Sequence, residues 1–178
     1  MSKVRKHISE VSEAMTLMDE EEIQRVVTAI RLVKAAGGTV YLFGNGGSHS
    51  TAGHFANDLM KMSRVKAVCL GDMGASMLAY GNDNGWVNMF RDPLAEMMKV
   101  GDGVIGISCS GKSENVIAAL GYAVSQEVIA IGFTGDSLSS EINYLGLDCV
   151  IHARYPDIRV QEDFHSIFCH AIARELQE

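Results

Sequence analysis

The sequence predicts an α/β protein, a doubly wound five-stranded parallel sheet with an N-terminal helical pair, and three observations predict it. Five short apolar runs recur, at residues 39–43, 67–70, 103–107, 128–133 and 149–151. Each is apolar throughout rather than alternating, as strands buried on both faces are. Stretches of roughly 10–30 residues with helical patterning separate the runs, and strand–helix alternation of this kind gives parallel strands covered by helices on both sides. A chain of 178 residues holds them as one domain, 1–178.

The elements follow in order. Val11, Met15, Leu17 and Met18 recur at near-helical spacing. The run Asp19, Glu20, Glu21, Glu22 opens a second helix, because carboxylates favour the positive end of the helix dipole. Ile23, Val26, Val27, Ile30, Leu32 and Val33 make its apolar face, and Gly37 and Gly38 end it. This helical hairpin has no strand of its own to cover. Residues 1–37 are therefore expected to be an extension used in oligomerisation, packed on a neighbouring subunit. The run 39–43 closes on Gly44, the other four runs follow with their helices, and a last helix spans 158–176.

Composition bounds the function. Hydrophobic residues at 47% and charged residues at 21% describe a soluble globule with a core. A net charge of −7, without a long basic run, argues against nucleic acid as partner. No apolar run approaches the roughly 20 residues that cross a bilayer, and the basic start leads into a segment too polar for a signal peptide. The four cysteines lie at scattered positions without a CxxC pair, as reduced thiols of a cytoplasmic protein do.

Ligands of doubly wound sheets bind outside the carboxyl ends of the strands, and two such ends carry unusual chemistry. The first is Gly44-Asn45-Gly46-Gly47-Ser48-His49-Ser50. Its glycines let backbone approach a ligand, and the helix behind offers free N–H groups to an anion or a sugar oxygen. It is neither GxxxxGK[ST] nor GxGxxG in register, so no nucleotide cofactor is expected. A plain glycine turn with serine caps accounts for it equally well. The second is Ser108-Cys109-Ser110-Gly111-Lys112-Ser113-Glu114-Asn115, where three hydroxyls and a glycine at a strand-to-helix turn suit a phosphate. A helix cap alone explains one serine, not three.

Gly44-Asn45-Gly46-Gly47-Ser48, then His54-Phe55-Ala56-x-Asp58-Leu59, Gly81-Asn82-Asp83 and Ser108-x-Ser110-Gly111-x-Ser113-x-Asn115-Val116 resemble the sugar-isomerase (SIS) domain family over essentially the whole chain, and within it the phosphoheptose isomerase branch. The resemblance implies a five-stranded parallel core, a homotetramer with shared active sites, and conversion of sedoheptulose 7-phosphate to a manno-heptose 7-phosphate through an enediol. It puts Asn45, Gly46, Gly47, Ser48, Ser108, Ser110 and Ser113 around the substrate and carries Asp83 over as a sugar contact. It places a catalytic carboxylate at Asp58, a catalytic histidine at His170, and a divalent metal such as zinc at His54, Asp58, Glu162 and His170.

The residue types suit that chemistry. Aldose–ketose isomerisation needs a base that moves a proton between adjacent carbons and a group that moves one between the oxygens. His54 and Asp58, at i and i+4, share a helix face. Glu162 and His170, eight apart, lie roughly on one face of the last helix, and His165 is expected to be structural or solvent-facing. If the two faces border one cleft, two histidines and two carboxylates converge, as acid–base groups, metal ligands or both. Asp58 stands for the family glutamate and is a methylene shorter; Glu162 stands for a glutamine and adds charge. An ion pair of Asp58 with Lys61 is the plainer alternative. An isomerase of another phosphosugar, or a non-catalytic SIS protein that binds a partner such as a replication initiator, remain the other readings.

Overall fold

The computed structural model describes residues 1–135 and 139–177. Helices α1 (Lys3–Thr16) and α2 (Glu20–Ala35) come first, then β1 (Thr39–Gly44), α3 (Gly46–Lys61), β2 (Lys66–Cys69), α4 (Gly74–Asp83), α5 (Arg91–Met97), β3 (Gly103–Ser108), α6 (Glu114–Ser125), β4 (Ile129–Gly135), β5 (Cys149–Ala153) and α7 (Ile158–Glu175). The five strands are parallel in the order β2-β1-β3-β4-β5. Single 3-10 turns at Leu70–Asp72, Trp86–Asn88 and Glu141–Tyr144 join them.

Alternate residues of each strand enter opposite cores. Val40 and Leu42 join a core closed by α2, α3 and α7, and Tyr41 and Phe43 join one closed by α4, α5 and α6. Both faces of the sheet are thus apolar, which is why its strands read as unbroken hydrophobic runs.

Of the helical pair, which the sequence left with no strand to cover, the structure places α2 on the chain's own sheet. Helix α2 has a sheet face to cover: Val26, Val27, Ile30 and Val33 are at most 1% exposed, in the same core as Ile131 and Ile151. Burying a Val or Ile side chain is worth about 1.5–3 kcal/mol, so α2 belongs to the chain's own core. Its Glu22 is locked to β5. The carboxylate accepts the His152 backbone N–H at 3.0 Å, meets His152 Nδ1 at 2.8 Å and pairs with Arg154 at 2.6 Å. Burial alone would raise this carboxyl, but the hydrogen bonds from His152 and Arg154 outweigh it and hold it below its ordinary value. Helix α1 lies outside this layer, on α7, with His7 Nε2 2.8 Å from Asp163 Oδ2. It leaves Val4 and Ile8 exposed.

Candidate active site

Helix α3 leads from β1 outward to β2 across one face of the sheet, and α6 leads from β3 outward to β4 across the other. The strand order therefore reverses between β1 and β3, and the crevice of a doubly wound sheet opens there. Both unusual loops flank it. Gly46 takes φ +53° and starts α3 one residue after Asn45. The Asn45 side chain makes no cap bond. It pairs instead with Asn115 in the first turn of α6, each amide donating to the other at 2.9 Å. Two helix N-termini, each a partial positive charge, are thereby fixed side by side.

The serine turn is braced by its own hydroxyls. Ser108 Oγ donates to Ser113 Oγ at 3.0 Å and lies 3.4 Å from Ser110 Oγ, which in turn accepts the Lys112 N–H at 3.2 Å. Ser113 sits at the N-cap of α6 without a side-chain cap bond, so its hydroxyl is committed to Ser108. Gly111 makes the bend at φ +63°, and a Cβ there would collide with Ser140 Oγ. Lys112 is exposed.

Helices α3 and α7 run parallel, side by side. Gly47 faces Glu162, His54 faces His170, and Ser63 Oγ donates to the Ala173 carbonyl at 3.0 Å. This register brings one carboxylate and two imidazoles together. His54 Nε2 and His170 Nε2 are 2.9 Å apart, with their rings perpendicular. Asp58 Oδ2 lies 3.4 Å from His54 Nε2 and 3.8 Å from His170 Nε2. The Asp58 side chain is 7% exposed, whereas the two imidazoles are 54% and 52% exposed. A buried carboxylate below two imidazoles open to solvent is a proton-transfer arrangement, and no pairing with Lys61 accompanies it. Cys169 lies beside Asp58; burial, and then the Asp58 charge, push its thiol well above the ordinary range.

The same three groups suit a divalent metal. Ligand atoms on a tetrahedron with zinc–nitrogen and zinc–oxygen bonds lie about 3.3 Å apart, and the contacts of 2.9, 3.4 and 3.8 Å bracket that edge. Glu162 does not join them. Its carboxylate lies against Gly47 at the start of α3, where a Cβ would be 2.5 Å from Oε1. Eight residues return to the same helix face but climb two turns, about 12 Å, so a shared face did not bring a shared site. Asp83 also stands apart. It ends α4, is exposed, and accepts from its neighbour Asn82 at 2.7 Å.

Two features escaped the sequence. The first is the docking of Glu162 on a glycine. The second is a buried relay from Ser48 through Cys109 to His165. His165 is wholly buried, and its Nε2 reaches the Thr134 carbonyl at 3.1 Å. A carbonyl only accepts, so Nε2 carries the proton and donates, and Nδ1 accepts a hydrogen bond from the Cys109 thiol at 3.7 Å. Burial pushes the Cys109 thiol up to about 11, against a hydrogen bond to Ser48 that lowers it. A cysteine between two serines and a histidine five before another carry no spacing signal that pairs them. His165 is thus structural, one of the two placements expected for it.

Three comparisons bear on this site. A SIS domain model matches residues 4–135. A phosphoheptose isomerase of Aquifex aeolicus is 31% identical over 186 aligned residues, which span 100% of this chain and 96% of the relative. One from Burkholderia pseudomallei is 32% identical over 146 residues, 76% of this chain and 74% of the relative. The solved structure of phosphoheptose isomerase GmhA from Neisseria gonorrhoeae superposes with a TM-score of 0.90 at 26% identity, covering 98% of this chain and 96% of that one.

Proposed function

The chain belongs to the SIS domain family and, within it, to the phosphoheptose isomerases, and from that premise we propose how its residues interconvert sedoheptulose 7-phosphate and a manno-heptose 7-phosphate. The observation that carries the mechanism is the approach of the buried Asp58 carboxylate to the two half-exposed imidazoles of His54 and His170.

The serine turn and the paired helix N-termini hold the phosphate, supplying binding energy away from the reacting carbons. Asn45, Gly46, Gly47 and Ser48 take sugar oxygens. Asp58 removes the proton from C1 of the ketose; His170 gives a proton to the carbonyl oxygen at C2, and the enediol forms. His170 then recovers a proton from the C1 hydroxyl, Asp58 returns its proton to C2, and the aldose results with both groups restored. His54 orients the Asp58 carboxylate. His54, Asp58 and His170 would also hold a divalent metal such as zinc, which supplies Lewis-acid polarisation of the carbonyl when bound. No nucleotide cofactor enters.

By the rise of an α-helix, His54 and Asp58 lie about 10 and 16 Å along α3 from Gly47. That separation, and the isolated Asp83, support a homotetramer in which neighbouring copies complete each site, with 1–37 contributing through α1. Four unpaired cysteines support a cytoplasmic setting.

The test is exchange in deuterated water. The wild-type chain incorporates deuterium next to the carbonyl of sedoheptulose 7-phosphate, and Asp58→Asn lowers exchange and turnover by about 10²–10⁴-fold. Undiminished exchange in that variant removes Asp58 from the mechanism. The carboxylates at 58 and 162 favour, as a second reading, another phosphosugar on the same chemistry. Pentose and hexose phosphates in the same assay separate the two. The assembled triad of Asp58, His54 and His170 weighs against a purely partner-binding role.

A further inference from the structure

On the other flank of α3, we propose a second divalent-cation site, built from His49, Cys69 and Asp72 and suited to zinc. The three side chains come from three elements: His49 from the first turn of α3, Cys69 from the last residue of β2, and Asp72 from the 3-10 turn that follows. Their ligand atoms all lie within 4.8 Å of one another. Cys69 Sγ is 3.5 Å from His49 Nδ1, and His49 Nε2 is 3.4 Å from Asp72 Oδ1. Around a tetrahedral zinc with ordinary bond lengths, a sulfur and a nitrogen sit about 3.6 Å apart, so the thiol and imidazole already stand at ligand separation. The mixed sulfur, nitrogen and oxygen donor set is the one zinc accepts.

The surroundings fit a built site. A Cβ at residue 71 would collide with His49 Nδ1, and one at residue 53 would lie 3.2 Å from Asp72 Oδ2, so glycines hold the space for ring and carboxylate. Cys69 is 5% exposed, while the Asp72 side chain is 63% exposed. The sulfur is thus anchored beside Nδ1, and the exposed Asp72 carboxylate, which meets the ring at Nε2, turns to the Nδ1 side to complete the site. Three protein ligands leave a fourth position to water. Binding sets the thiol proton free into solvent as the sulfur becomes a thiolate ligand. The site is separate from the acid–base group, because five residues along α3 rotate His49 well away from the face of His54 and Asp58.

Cobalt(II) tests this in the full-length chain, since a thiolate ligand gives cobalt a charge-transfer band in the near ultraviolet that imidazoles and carboxylates do not. The expected result is a saturable band from one cobalt per protomer, displaced by zinc, lost in Cys69→Ser and in His49→Ala, weakened in Asp72→Asn, and retained in the double variant His54→Ala/His170→Ala. Asp72 is largely exposed, so Asp72→Asn reads the site without risk to the core. A wild-type chain that shows no such band, or a band that survives Cys69→Ser, overturns the proposal. Both readouts are independent of turnover, so a failed isomerase assay would leave this result standing, and the reverse.

Discussion

At the scale of single residues, His165 makes the sharpest prediction. Desolvation lowers it from 6.5 to about 4, although its bond to the Thr134 carbonyl works the other way. The unfolded chain therefore takes up this proton as pH falls through about 6.5, while the folded chain stays neutral until about 4. Stability is undiminished by this group above pH 6.5, declines between there and 4, and levels off below, a loss of roughly 3 kcal/mol. Urea midpoints measured across that window show the decline in the wild type. His165→Gln keeps a donor for Thr134 and an acceptor for Cys109 without titrating, and flattens it. A wild-type midpoint that does not move between pH 6.5 and 4 contradicts this account. The pairing of His54 with Asp58 was legible in the sequence because i and i+4 fix both face and height on a helix. The separation of Glu162 from His170 follows from the same rise, about 12 Å over eight residues, but the register of α7 against α3, which sets Glu162 on Gly47, was not legible.

At the scale of elements, the strand-to-helix turns decide the site. The bend at Gly111 closes against two buried hydroxyls, Thr134 and Ser140, which lie 2.9 Å from each other. Gly111→Ala meets both a positive φ and a contact from which Ser140 has no room to retreat. Thermal unfolding is expected to show a loss of about 2–4 kcal/mol, and phosphate-dependent stabilisation is lost with it. Full retention of stability and phosphate response in that variant rejects the steric reading. All five strands could be read in advance, since a short apolar run without alternation, bounded by turn residues, is the pattern of a strand covered on both faces. The placement of α2 could not. An amphipathic stripe states that a helix is covered without stating by what, and here the surface it meets is assembled from β1, β4 and β5, far apart in the chain.

At the scale of the whole molecule, the chain leaves large apolar side chains in water at many places, Leu32 and Val100 among them. Val4 and Ile8 lie along α1, and Leu78 and Trp86 lie on and just beyond α4. Such residues are the basis on which an assembly of several copies is expected. Sedimentation at micromolar concentration is expected to give a tetramer, and Leu78→Asp to shift it towards smaller species and lower turnover together. A monomer of full activity contradicts the shared site. In the sequence, assembly was an expectation from the apolar helical pair and from the resemblance, whereas which side chains stay exposed is a property of the folded surface that no local pattern encodes.

The clasp between Asn45 and Asn115 has a consequence for how the crevice behaves across conditions. Like the serine hydroxyls and glycine backbone around it, the pair of mutually bonded carboxamides carries no charge for salt to screen and does not titrate near neutral pH. The link between the first turns of α3 and α6 is therefore expected to hold its geometry across pH and ionic strength.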